Sequence, residues 1–236
     1  MSNSKLSARS HAYLFAAIAK QIVDSYGETG RDIIRKGVIH YGKQRGSRMR
    51  QRALREGAIP DSLTYIIYGE WAAEPGEMEI DMPKVNPDIQ FLFKKCPWCD
   101  VWKEKGLLEK YGYLYCKYVD EAIAAGFNPE LQFDTLSTRG CGAQVCDMRI
   151  RNAFITKDQL EELQKTTRSM GNRNKRPWDY HCAHLYKALW DVIVPHLGIE
   201  GEKLLIQALE DFSEEFGEEA AMEFLKLVNS DFTVAD

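Results

Sequence analysis

Two blocks of helical periodicity, one toward each end, bracket a middle stretch whose apolar residues alternate, and that order limits the folds open to this chain. Between Leu6 and Tyr26, Leu6, Tyr13, Leu14, Ala17, Ile18 and Ile22 recur at the spacing of one helix face. Gly27 to Gly30 breaks the pattern, and a second helix is expected from Asp32 to Arg55, with Ile33, Ile34, Val38 and Tyr41 on its apolar side. After Pro177 the chain reads as helix to its end, interrupted at Gly198, Gly201 and Gly217. Between the blocks, Met78, Ile80 and Met82, then Ile89, Phe91 and Phe93, then Leu131 and Phe133 alternate with polar residues as half-buried strands do. The expected fold is α+β, a small, mostly antiparallel central sheet packed by N- and C-terminal helices. No proline- or serine-rich linker divides it, so residues 1–236 are expected to form a single domain.

A hydrophobic content of 44% and a charged fraction of 28% fit an ordinary soluble globular protein. The net charge of −4 argues against nucleic acid as the main partner. No apolar run approaches the ~20 residues that span a bilayer. Met1 to Arg9 is polar and does not read as a signal-peptide core, so a cytoplasmic protein is expected. The six cysteines, Cys96, Cys99, Cys116, Cys141, Cys146 and Cys182, are then expected to be reduced. Packing, metal binding and catalysis compete to explain them.

Residues Leu63 to Tyr68 are β-prone, and Trp71 to Pro75 reads as a turn. Cys96-Pro97-Trp98-Cys99 leads into a short helix ending at Gly106. That pair has no second Cys-x-x-Cys to complete a zinc site, and its surroundings are not ordered as in thioredoxin. Packing ranks first for it, redox second and zinc third. Leu107 to Ala125 reads as one helix, on which a four-residue separation puts the Cys116 thiol and the Asp120 carboxylate on one face. Gly126 and Pro129 end it. Cys146, Met148 and Ile150 share one face of a later strand, so Cys146 should point at the core or at a pocket in it.

The second helix is strongly basic, from Arg31 to Arg55. Most of its cations suit a solvated face, but Arg45 or Arg48, beside Gly46, is a candidate to turn inward and hold a carboxylate bidentately. His181 and His184 lie three apart and share a helix face, the geometry of a paired ligand or of a base with its partner. His11, His40 and His196 lack suggestive neighbours and are set aside as structural or exposed. Two chemical models use these groups. In one, Cys116 is a nucleophile, and its thiol, with a reference pKa of ~8.5, needs an activating neighbour. In the other, thiols, imidazoles and Asp120 bind a metal that activates water. Spacing favours the first, and no metal or cofactor is expected.

Five segments carry a family resemblance: Tyr115-Cys116-Lys117-Tyr118-Val119-Asp120, Gly126-Phe127-Asn128-Pro129, Gly142 through Cys146 to Ile150, Tyr41 through Arg45 to Arg48, and His181 through His184 to Tyr186. In them the chain resembles the L-2-amino-thiazoline-4-carboxylic acid hydrolase family, over about residues 10–230. Cys96, Cys99 and Cys141 fall outside the shared pattern, which separates them from the expected site. The resemblance implies a hydrolase that opens a small cyclic amidine-like ring at a non-peptide C–N bond or the adjacent C–S bond. It implies Cys116 or a held water as nucleophile and Asp120 or His184 as proton carrier, with an N–H or the Asn128 amide steadying charge. Cys146, Arg45, Arg48 and His181 would complete the substrate site.

Two readings of other classes compete: a sensor that binds a small molecule in the same cysteine-lined pocket without turnover, and a redox or metal protein using Cys96, Cys99, Cys141 and Cys146. Phe212, Phe216, Phe224 and Leu225 could serve a homo-oligomer surface or the core.

Overall fold

The element on which most others pack is α1 (Ala8–Arg55). Ser7 starts it by accepting the Arg9 N–H, while Ser10 takes the Ser7 N–H in return. The expected break shrinks to one residue. Gly27, at φ 55° and ψ −126°, is the only non-helical point, so α1 is two helical halves joined at a kink. Leu14, Phe15, Ile18, Ala19, Ile22, Ile34 and Val38 are fully buried, as suits a helix covered on most sides. The computed structural model describes residues 6–235; residues 1–5, part of the polar Met1 to Arg9 stretch, and Asp236 lie outside the described residues.

The fold is α+β. Strands β1 (Glu79–Lys84), β2 (Ile89–Lys95), β3 (Phe133–Ser137) and β4 (Cys146–Ile150) form one antiparallel sheet in the order β1-β2-β4-β3. The β2–β4 register pairs Phe93 with Cys146 and Phe91 with Met148, so all four side chains leave the same sheet face. Helices α2 (Ser62–Ile67), α3 (Pro97–Glu104), α4 (Tyr113–Cys116), α5 (Val119–Phe127) and α6 (Lys157–Met170) lie between and beside the strands in sequence. Helices α7 (Trp178–Leu197), α8 (Ile199–Phe216) and α9 (Glu218–Leu225) follow, and α7 and α8 pack on α1. Phe212 and Phe224 are fully buried within this chain, while Phe216 and Leu225 are partly covered. No helix among the described residues is long and apolar enough to cross a membrane.

Two local expectations are corrected. Leu63 to Ile67 is helical, with Tyr68 as its C-cap, because the Asp61 carboxylate accepts the Leu63 and Thr64 N–H groups and the Thr64 hydroxyl accepts the Asp61 N–H. That reciprocal cap outweighs the β preference of the isoleucines and tyrosines. Leu107 to Ala125 is not one helix. A π-helical turn (Leu108–Gly112) runs into α4, and Tyr118, at φ −129°, separates α4 from α5.

The placement of α5 on α1 depends on missing side chains. A Cβ on Gly46 would lie 2.0 Å from the Ile123 carbonyl oxygen, and one on Gly126 would lie 2.3 Å from the Lys43 carbonyl oxygen. The two backbones therefore touch, which sets Arg45 of α1 close to Asp120 of α5. Gly46→Ala must push them apart and is expected to destabilise the protein by about 1–3 kcal/mol in urea unfolding. Stability equal to the parent's would contradict this close approach.

Candidate active site

Where α1, α4, α5 and the β2–β4 sheet face converge, they line a pocket of about 70 Å³. At ~10–15 Å³ for each water, that is room for roughly five to seven waters, the scale of one small ring. Arg45, Cys116, Asp120 and Cys146 all line it, so four of the residues singled out in the sequence meet. Trp71, Trp98, Tyr115 and Phe93 supply aromatic walls. Cys116 and Asp120 share the pocket although they do not share a helix: Cys116 closes α4 and Asp120 lies in the first turn of α5.

Cys96 also lines the pocket, which corrects its separation from the site. It follows β2 and N-caps α3, and that turn carries Cys99 to within 3.9 Å of the Cys116 sulfur. The three thiols form a chain in which Cys96 and Cys99 are hydrogen-bonded and Cys99 meets Cys116. Donation from Cys99 favours the Cys116 thiolate, but burial and the nearby Cys96, Cys146 and Asp120 outweigh it, and the Cys116 pKa lies above the ordinary thiol value. Cys146 accepts the Arg139 N–H at 3.3 Å, yet burial pushes its thiol up to about 11. All six cysteines are free. Space for Cys116 again depends on a glycine, since a Cβ on Gly140 would lie 2.9 Å from the Cys116 sulfur.

The acid and the cation of the pocket are both underused by the protein. Enclosure raises the Asp120 carboxyl to about 6 against the pull of Arg45, with Glu121 adding to the rise. No donor among the described residues hydrogen-bonds its carboxylate. Arg45 is 3% exposed and stands over the Tyr41 ring at 5.6 Å. Its Nε approaches Glu70 Oε2 at 3.5 Å without a hydrogen bond, and no other acceptor among the described residues takes its donors.

Arg48, three residues on, is in the opposite condition. It binds both carboxylate oxygens of Glu70, Nε to Oε1 at 2.9 Å and Nη2 to Oε2 at 2.8 Å, and its Nη1 donates to the Phe232 carbonyl. Arg52 Nη1 adds a bond to Glu70 Oε1 at 2.7 Å. Glu70 is fully buried. Burial alone would raise its pKa, but Arg48, Arg45 and His181 outweigh burial and hold it at about 2.

Four expected site residues are therefore elsewhere. Arg48 is consumed by Glu70. His184 accepts from Arg48 Nη2 at Nδ1 (3.2 Å); a guanidinium can only donate, so Nε2 carries the proton and donates to Gln44 Oε1 at 2.8 Å. His181 donates its Nε2–H to the Glu70 carbonyl oxygen at 3.2 Å. Burial, followed by Arg45, drives the His181 pKa down to about 3; burial, followed by Arg48, takes His184 well below its ordinary value. Neither imidazole lines the pocket or suits a proton carrier near neutral pH. Asn128 clamps a loop, donating to the Pro60 carbonyl at 2.9 Å and accepting the Glu130 N–H at 3.0 Å. Nor are three His, Cys, Asp or Glu side chains grouped as metal ligands among the described residues.

His11, set aside in the sequence, is fully buried and has two partners. It accepts the Trp98 indole N–H at 3.1 Å and shares a 3.0 Å hydrogen bond with the Tyr41 hydroxyl, fixing one pocket wall. Phe93 and Met148 were accessible to sequence reasoning as alternating neighbours of Cys146 across the register. Trp71 and Glu70 carried no such signal.

Fold and site together define an α+β protein with a thiol-lined pocket holding one acid and one under-bonded cation. The model of the L-2-amino-thiazoline-4-carboxylic acid hydrolase family matches residues 7–150, and the chain belongs to that family. The match includes every residue that lines the pocket and ends before α6, so the His181–Tyr186 likeness lies outside it. No curated protein and no solved structure matches the chain.

Glu70→Gln leaves buried guanidinium groups without their counter-ion and is expected to cost about 3–5 kcal/mol. The wild-type carboxylate has a depressed folded-state pKa. Its stabilisation is complete above the ordinary value of 4.5 and is lost as pH falls toward about 2. Thermal melts across that window should show the loss in the wild type and not in Glu70→Gln; parallel curves would contradict it.

Proposed function

We propose that this protein hydrolyses a small carboxylate-bearing cyclic amidine of the thiazoline type, opening the ring at the C–N or adjacent C–S bond. The observation that carries the reading is Arg45, a buried guanidinium on the pocket wall with no hydrogen bond among the described residues. Such a group is suited to bind a substrate carboxylate bidentately. The family's name, that of a hydrolase of a thiazoline carboxylic acid, supports the reaction class.

In this reading the ring carbon between sulfur and nitrogen faces Cys116. The sulfur adds to that carbon as its proton passes to Asp120, and Asp120 returns the proton to the ring atom that leaves. Water then attacks the same carbon, Asp120 takes a proton from it, and the carbon–sulfur bond to Cys116 breaks with the thiol restored. One water is consumed and one ring bond is lost. Asp120 suits both transfers because a carboxyl near 6 can both accept and release a proton near neutral pH. A pure sensor has no need of a half-buried carboxylate without a hydrogen-bonded partner, which is costly to desolvate.

A second reading, redox chemistry at the same thiols, is favoured by the 3.9 Å contact between Cys99 and Cys116. Turnover of a panel of thiazolines, cyclic amidines and imides under reducing conditions separates the two, since a redox protein would open no ring.

Arg45→Met is expected to raise KM for the carboxylated ring by at least about 30-fold, the loss of a buried charge-paired contact. Cys116→Ser should lower kcat by ~100-fold or more; retention of full ring-opening activity would remove the nucleophile. The base form of Asp120 is the active one, so the rate should rise with pH around a midpoint near 6. Asp120→Asn should lose both that limb and ~10²–10⁴-fold of the rate. A limb that persists in Asp120→Asn would assign it to another group.

A further inference from the structure

A second and larger cavity, of about 240 Å³, opens on the other side of Arg45 and Asp120. Arg45, Trp71, Phe93, Asp120, Ile123 and Met148 line both cavities, so they form the waist of one two-lobed site. Past the waist the wall changes from sulfur to aromatic carbon, with Tyr65 from α2, Phe91 from β2 and Phe133 from β3. Tyr65 meets Phe133 and Phe127 edge-on at ring separations of 5.8 and 5.6 Å, which fixes the wall before any ligand arrives.

Lys175 also lines this lobe. Its ammonium gives one proton to the Gly69 carbonyl oxygen at 2.7 Å, and an ammonium has three to give. Burial, with Arg45 adding to it, pulls its pKa down against the opposing charge of Glu70, which also lines this lobe but whose carboxylate oxygens are taken by Arg48 and Arg52, so an anion placed beside the ammonium would favour its charged form. Lys175 lies outside the 7–150 span shared with the family.

A compact ring reaching from Cys116 to Arg45 fills the small lobe and the waist. It leaves the larger, aromatic lobe and its cation uncovered. We propose that the larger lobe is a second subsite, taking a flat apolar arm of the substrate that ends in an anion held by Lys175. The substrate class is then a cyclic amidine extended by an aryl or arylalkyl carboxylate. What enters the small lobe rests on the ring-opening reading above; binding in the larger lobe requires no turnover and is tested without it.

The test is calorimetric titration of the full chain with 4-phenylbutyrate and with its neutral primary amide. The wild type and Cys116→Ser should bind the acid equally, and at least tenfold more tightly than the amide. Lys175→Met should bind acid and amide alike, and Lys175→Arg should restore the preference. Ile80→Glu, at a lobe-lining position already 46% exposed, should weaken the acid severalfold without weakening the amide, and it does not disturb the core. Failure of the wild type to bind either probe would overturn the subsite. An acid preference that survives in Lys175→Met would also overturn it, by placing the carboxylate on Arg45. Failure to open any thiazoline with this binding pattern intact would count against the reaction alone. Opening of compact thiazolines with the pattern absent would count against the subsite alone.

Discussion

The arrangement depends on one buried carboxylate. Glu70 has no exposed side-chain surface, and a lone ion there would be strongly destabilising, so it draws arginines from three positions of α1. Arg48 and Arg52 take its oxygens with hydrogen bonds, which leaves Arg45 near the charge but unbonded. A cation is thereby held in a buried place with donors to spare. The same residue organises the chain around it: its carbonyl accepts the Arg176 N–H at 2.7 Å and the His181 imidazole N–H, tying the segment before α7 to the loop that delivers Trp71 to the pocket.

Close packing then determines what Arg45 faces. Contact of the α1 and α5 backbones at Gly46 and Gly126 sets Asp120 beside it, and Gly140 leaves space for the Cys116 sulfur. The sheet contributes Cys146 and Phe93 from paired positions on one face. Low solvation is the common cause of the site's chemistry. It holds the Cys116 thiol above its ordinary pKa and lifts Asp120 to about 6, so an acid able to exchange protons near neutrality stands in the same pocket as a thiol that must lose one.

Much of this was legible in the sequence where a short-range period governs it. Alternation announced the antiparallel strands, and the two-residue period placed Cys146 inward; β4 alternates buried and half-buried as that requires. The thiol and carboxylate four residues apart do line one pocket, although the helix assumed to join them breaks at Tyr118. What escaped depends on neighbours distant in the chain. Arg45 and Arg48 sit three apart on one helix, and only Glu70 decides which is consumed. His181 and His184 do share a face, but that face meets the arginine cluster and not the pocket. Cys96 was set apart because it falls outside the shared family pattern, and the turn into α3 that brings it to the pocket leaves no periodic mark. Leu63 to Tyr68 shows a local rule losing to another local rule, since the Asp61 cap overrode strand propensity.

The central claim is that a carboxylated ring held by Arg45 is attacked by Cys116. Its most direct test is acid-quenched turnover of a carboxylated thiazoline followed by intact-mass and peptide mapping. The account predicts a transient adduct on Cys116 alone, with Cys96, Cys99 and Cys146 unmodified and no adduct in Arg45→Met at the same substrate concentration. Steady turnover without any adduct on Cys116, or an adduct confined to another thiol, would contradict it.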